Sequence, residues 1–266
     1  MPCSLTLESL HGPLTVAAVT HGRSVPQGTG TVRNPLEPSR RIRAVLFDVD
    51  GTLYRQRRLR LRMAAELASL AIRHPWRAPK VWRVLSTFRR AQEHVRRTGG
   101  GASQQLQWTA RHARATQTEV AAIVDEWMQT RPLKYLVSCR ATGLIDLLAF
   151  LEARRVPVGV LSDYPAAGKL DALGIAGRFS VVLSCGDPQV DAFKPSPRGF
   201  LAACARLAVD PADVLYVGDR ADADAAGAAA AGMPAVIIGS AHRPGRRFMT
   251  LPTLERLRHV LDDDRR

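Results

Sequence analysis

Val45-Leu46-Phe47-Asp48-Val49-Asp50-Gly51-Thr52-Leu53 is an apolar run that stops at two carboxylates one residue apart, followed at once by Gly-Thr. The run Ala44 to Phe47 reads as a buried parallel strand. Alternate strand residues point to one side, so Asp48 and Asp50 can aim at one spot. Gly51 lets the backbone turn there. Converging carboxylates at the C-terminal end of a strand make a seat for a hard divalent cation, and ligand crevices in open α/β sheets lie at that end. The bland alternative is an Asp pair capping a turn or a helix.

The chain after this stretch changes character and then changes back. From Tyr54 to about Leu133 it reads as helical and arginine-rich. Leu59, Met63, Leu67 and Leu70 make one apolar stripe, and Val81, Val84, Leu85, Phe88 and Val95 a second. Gly99-Gly100-Gly101 ends the second helix, and a more polar third helix is expected over 103–115. A fourth starts at Thr118 as N-cap, with Val120, Ile123, Val124, Trp127 and Met128 on one face, and Pro132 closes the block. Strands and helices then alternate. Strands are expected at 157–162, 181–183, 214–217 and 235–238, and helices over 144–151, 166–173, 224–231 and from Ser196 (N-cap) and Pro197 (first turn) onward. This pattern predicts a parallel α/β sheet with right-handed crossovers, interrupted by an all-α insert. The implied domains are a core of 42–53 plus 136–266 and an insert of 54–135. Residues 1–41, rich in Pro, Gly, Ser and Thr, read as a disordered tail or as sequence ahead of the native start.

Composition bounds the class. Hydrophobic content of 46% and charged content of 23% suit a globular protein. No run approaches the roughly 18 apolar residues that span a bilayer, and the N-terminus lacks the basic start of a signal peptide. Cys3, Cys139, Cys185 and Cys204 have no metal-ligand spacing and read as free thiols, which points to a cytoplasmic location. The formal charge of +14 is unevenly spread. Residues 54–135 hold 17 Lys+Arg against 5 Asp+Glu, whereas 136–266 hold 16 against 15. The excess therefore concerns the partners of one segment.

Three expected strands end in polar residues, at Asp48 and Asp50, at Ser162-Asp163 and at Gly218-Asp219. Parallel strands share one C-terminal edge, so these groups converge. Asp48, Asp50, Asp219 and Asp224 form a candidate all-oxygen site for Mg²⁺. Lys194, in Lys194-Pro195-Ser196-Pro197, is the candidate cation beside them, and Ser162 offers a hydroxyl and nearby amides. Metal, lysine, hydroxyl and amides together describe a phosphoryl-binding site. A carboxylate beside them can attack phosphorus to give an aspartyl-phosphate.

These residues resemble the haloacid dehalogenase (HAD) superfamily, in its phosphatase type with a helical C1 cap. Phe47-Asp48-Val49-Asp50-Gly51-Thr52-Leu53 is similar to its first motif, Leu161-Ser162-Asp163 to its second and Lys194-Pro195 to its third. Val217-Gly218-Asp219-Arg220-Ala221-Asp222-Ala223-Asp224 is similar to its fourth. The resemblance implies a Rossmann-like sheet of order 5-4-1-2-3. It also implies that Asp48 is the nucleophile and Asp50 the general acid and then base. Mg²⁺ would be held by Asp48, the Asp50 backbone carbonyl and Asp219. Gly51, Thr52, Ser162, Asp163 and Lys194 would meet the phosphoryl group, and the insert would be the cap. An Asp at position 50 points to phosphatases over dehalogenases. There are two departures from the family pattern. Asp163 stands where Asn or Thr commonly follows the Ser, and the fourth motif offers Asp222 as a rival to Asp224. Asp224 fits the pattern better.

The activity expected is Mg²⁺-dependent hydrolysis of a small or amphipathic phosphomonoester. The basic insert, with Trp76, Trp82 and Phe88 among its arginines, admits three readings. They are a solvated surface, recruitment of an anionic substrate, or contact with an anionic membrane or partner, the last fitting a lipid-phosphate substrate. No nucleic-acid motif is present, so no nucleic-acid partner is expected. Phosphonate or C–halogen cleavage would need a Schiff-base lysine in the insert or a residue other than Asp at position 50. Only Lys80 and Lys134 are available as lysines there, and neither sits in a motif.

Overall fold

Strand β1 (Ala44–Phe47) is buried along its whole length, and its side chains divide strictly between two cores. Val45 and Phe47 enter one, Ala44 and Leu46 the other. The same alternation holds in β2 (Val158–Ser162), β4 (Val214–Gly218) and β5 (Ala235–Ile238). This is the period of two expected of strands covered on both faces. The computed structural model describes residues 42–239 and 248–263. The expected tail of 1–41 lies outside the described residues.

With β3 (Val181–Ser184) and β6 (Met249–Leu251), the strands form one sheet of order β3-β2-β1-β4-β5-β6, parallel at every pairing. Read from the other edge, the expected 5-4-1-2-3 is present and β6 is added beyond β5. One face is covered by α6 (Leu144–Ala153), α7 (Ala167–Ala172) and α10 (Leu254–Asp263), through Leu147, Leu151, Leu170 and Leu257. The other is covered by α8 (Arg198–Leu207) and α9 (Ala226–Ala230), through Phe200, Ala203 and Ala228.

Between β1 and α6 lie α1 (Gln56–Arg73), α2 (Ala78–Thr98), α3 (Ala102–Ala113), α4 (Gln117–Val124), a wide π-type turn over Asp125–Thr130, and α5 (Leu133–Cys139). Val84, Phe88, Ala113 and Val120 give this block a small core of its own. The chain leaves and re-enters the sheet side by side. Arg55 N–H donates to the Cys139 carbonyl at 2.7 Å, and Ala141 N–H to that of Leu53 at 3.0 Å. Tyr54, Leu59, Leu136 and Cys139 pack in the core beneath β1.

Several boundaries differ from the expected ones, each for a local reason. Helix α4 is capped by Thr116, not Thr118. The Thr116 hydroxyl accepts the Glu119 N–H at 3.1 Å, and the Glu119 carboxylate accepts the Thr116 N–H at 3.0 Å. That reciprocal pair needs Thr and Glu three apart, which Thr116 satisfies. Helix α8 begins at Arg198 with Pro197 at the N-cap position, one residue later than the expected Ser196 cap and Pro197 start. The helix expected over 224–231 is a π-type turn at Ala221–Ala225 running into α9.

Helix α9 packs without a side chain at Gly227. A Cβ there would lie 2.4 Å from Cε2 of Phe200, whose ring is buried and stands 4.7 Å from that of Tyr216. Gly227→Ala is expected to destabilise the fold by about 1–3 kcal/mol through overpacking. A shifted urea midpoint at unchanged slope checks this, and an unchanged midpoint refutes it.

Candidate active site

The C-terminal edge of the sheet carries the site, because each strand that feeds it breaks into a polar loop there. Asp48 follows β1 directly. Its carboxylate is buried, accepting Lys194 Nζ at 2.6 Å on one oxygen and Thr52 Oγ1 at 3.1 Å on the other. Asp219 follows β4, and Asp224 lies in the π-type turn beyond it. Oxygens of Asp48, Asp219 and Asp224 come within 4.8 Å of one another.

Asp224 also shapes its own loop. One of its oxygens accepts the backbone N–H groups of Asp219 (3.1 Å) and Arg220 (2.9 Å). The other accepts Lys194 Nζ at 2.7 Å and the Tyr216 hydroxyl at 3.0 Å. Lys194, from the loop between β3 and α8, therefore joins Asp48, Asp224 and Tyr216, the last at 3.2 Å.

Two glycines make the close approach of carboxylates possible. Gly51 has φ +110°, and a Cβ on it would fall 2.0 Å from Oδ2 of Asp219. A Cβ on Gly218 would fall 2.5 Å from the Asp224 carboxylate. Any larger residue would occupy the space these acids use.

The electrostatics follow from crowding. Burial pushes the Asp48 carboxyl well above its usual range; Lys194 opposes this, and Asp224, Asp219 and Asp50 add to it. Burial and then Asp224 push Asp219 up to about 7. Burial alone would lower Lys194, but Asp224 and Asp48 outweigh it and hold the ammonium firmly charged. Three oxygen donors repelling one another with one lysine among them fit a hard divalent cation, whose charge would relieve the repulsion.

Asp50 points elsewhere. Both its oxygens accept Lys169 Nζ, at 2.7 and 2.8 Å, and it accepts the Tyr54 hydroxyl. Burial would raise its pKa, but the Lys169 charge and the hydrogen bonds from Lys169 and Tyr54 prevail and hold it below the ordinary range. Ser162 closes β2; its hydroxyl is buried and accepts the Tyr164 N–H at 3.4 Å. Asp163 is engaged by α2, accepting Gln92 Nε2 at 3.2 Å and the Arg96 guanidinium. Of the two fourth-motif acids, Asp224 is in the cluster. Asp222 is exposed and paired with Arg220 at 2.5 Å.

Sequence reading missed Lys169, Tyr54, Tyr216 and Arg96. Tyr216 had a signal, since a hydroxyl on a wholly buried strand needs a partner. The other three had none, because their partners come together only in the fold.

Residues 42–232 match the haloacid dehalogenase-like hydrolase family. The chain belongs to this family. Among its HAD-like relatives, the phosphoglycolate phosphatase of Shigella dysenteriae is 33% identical over 219 residues, covering 73% of this chain and 80% of that protein. The glyceraldehyde 3-phosphate phosphatase of Methanopyrus kandleri is 33% identical over 210 residues, covering 74% and 84%. The crystal structure of a HAD phosphatase from Thermococcus onnurineus superposes with a TM-score of 0.58 at 24% identity, over 83% of this chain and 98% of that one. That similarity shows a shared HAD fold.

The raised Asp219 carboxyl sets a pH signature. Stability from a raised acid is complete below its ordinary pKa and is lost as pH rises through the folded value, here about 7. Metal-free protein should therefore lose melting temperature between pH 5 and pH 8. Millimolar Mg²⁺ should restore more at pH 8 than at pH 5. Equal stabilisation at both pH values would exclude the acid cluster as the binding site.

Proposed function

We propose that the protein is a Mg²⁺-dependent phosphomonoester hydrolase working through an aspartyl-phosphate on Asp48. One observation carries the reading: a buried carboxylate, fixed by Lys194 and Thr52, stands within 4.8 Å of the oxygens of Asp219 and Asp224. HAD-like relatives named for phosphoglycolate and glyceraldehyde 3-phosphate support a small phosphorylated substrate.

In this reading an Asp48 oxygen attacks phosphorus, and the bond from phosphorus to the leaving oxygen breaks. Asp50 gives that oxygen a proton. It then takes one from a water that attacks the aspartyl-phosphate, releasing phosphate and restoring Asp48. The first step needs Asp50 protonated when the substrate binds; Lys169 and Tyr54 then stabilise the carboxylate it leaves behind, the form the second step requires. Lys194, the Ser162 hydroxyl and the backbone around Gly51, Thr52 and Asp163 hold the phosphoryl oxygens. Asp48, Asp219 and the Asp50 carbonyl would hold Mg²⁺, with Asp224 beside them. When bound, the ion neutralises phosphoryl charge and favours ionised carboxylates. The block of 54–135 serves as the cap that limits water and selects the leaving group. Lys80 pairs with Glu119 and Lys134 with Glu66, both lysines on the exposed surface of the insert.

Asp48→Asn should lower turnover of p-nitrophenyl phosphate with Mg²⁺ by about a thousandfold or more while circular dichroism is unchanged. Intact protein with Mg²⁺ that turns over nothing on a broad phosphomonoester panel would sink the reading. Lys169→Met removes the group that lowers the Asp50 pKa. The acid limb of kcat against pH should then move to higher pH. A limb that stays in place would deny Asp50 the role of base.

A further inference from the structure

Helix α1 presents an apolar face to solvent, where a surface helix is expected to be polar. Leu61, Ala64, Ala65, Ala68, Ala71 and Ile72 are all exposed, Leu61 at 69% and Ile72 at 82%. Leu61, Ala65, Ala68 and Ile72 recur at i, i+4, i+7 and i+11, so they lie on one stripe. Glu66 is the one charge between Arg62 and Arg73. It is turned to Arg131, Lys134 and Tyr135, with contacts of 3.0, 2.5 and 2.5 Å. The corner after α1 continues the apolar exposure with Trp76, 73% exposed, and Trp82 on the first turns of α2 is 61% exposed.

Charge lies at both ends of the stripe. Arg57, Arg58 and Arg60 precede it, Arg62 falls just after its first residue, and Arg73 and Arg77 follow it. Residues 54–92 hold 11 Lys+Arg and a single acid. Among the described residues Arg57, Arg58, Arg60 and Arg77 make no ion pair. Scattered exposed apolar residues are ordinary, but a continuous uncharged face with arginines at both ends is not.

We propose that this face of α1, with the corner at Trp76, docks on an anionic lipid surface. An interfacial helix lies in the membrane plane with its apolar stripe down, and its arginines reach sideways to headgroup phosphates. Indole rings favour the headgroup depth. A polybasic segment with a single acid adds attraction to anionic lipid. Charge complementarity favours this occupant over a second copy, because a two-fold contact through the same face would bring two arginine sets together without counter-charge. No helix among the described residues is long and apolar enough to cross a membrane, so the contact is superficial. The proposal goes beyond the phosphatase reading and does not depend on it.

The test is co-sedimentation of the full chain with phosphatidylglycerol-containing vesicles and with pure phosphatidylcholine vesicles. Two variants are compared, Ile72→Ser with Trp76→Ser, and Arg57→Gln with Arg58→Gln and Arg60→Gln; circular dichroism checks their folding. The expected result is binding to the anionic vesicles, more than about tenfold weaker on the neutral ones, and weakened about tenfold or more in each variant. Absence of binding by the intact chain at low salt overturns the proposal. So does binding that the serine variant retains in full, which would mark mere electrostatic adsorption. A dimer in light scattering that the serine variant dissociates, without vesicle binding, assigns the face to a second copy and equally overturns it.

Discussion

The buried ammonium of Lys194 is the interaction on which the site depends. Asp48 and Asp224 are both within 2.7 Å of it, with the Tyr216 hydroxyl alongside. Without a cation, buried carboxylates this close could not remain ionised together. Each partner comes from a different part of the sheet. The loop after β1 supplies Asp48, β4 supplies Tyr216, the turn after β4 supplies Asp224, and the loop between β3 and α8 supplies the lysine. Three strands must be in register before the charge balance exists, so the site cannot form ahead of the fold. Gly51 and Gly218 complete the constraint by leaving room for Asp219 and Asp224.

Much of this was legible in the chain, for physical reasons. A strand buried on both faces must be apolar throughout, and β1, β2, β4 and β5 stand out as such. Acids at the end of such a run have no packing role, which made Asp48, Asp50 and Asp219 visible. Strand β6 was not legible. Met249-Thr250-Leu251 is three residues long and is recruited by pairing with β5. Lys169 was hidden because its meaning lies in Asp50, 119 residues away. Arg96 was hidden among many arginines, and only the fold selects it for Asp163. At the start of α4 the local rule was readable but was applied to the wrong threonine. Thr116 has Glu at the third position after it, and Thr118 does not.

Asp163 shows how a departure from a family pattern can be absorbed. An extra carboxylate beside Ser162 would repel an anionic ligand. Arg96 and Gln92, both from α2, engage it. The partner comes from the inserted helices, so the second motif of this chain and the sequence of α2 constrain each other.

Helix α2 also reaches a second loop. Glu93 accepts Arg96 at 3.0 Å and Arg220 at 2.9 Å, and Arg220 follows Asp219 directly. One helix thus grips the loops after both β2 and β4. Thermodynamic linkage makes such a grip reciprocal. Whatever free energy a ligand gains by ordering those loops, it also lends to seating α2, and seating α2 returns the same amount to the ligand. A ligand that ordered those loops would thus also favour the seating of α2, and by the same amount.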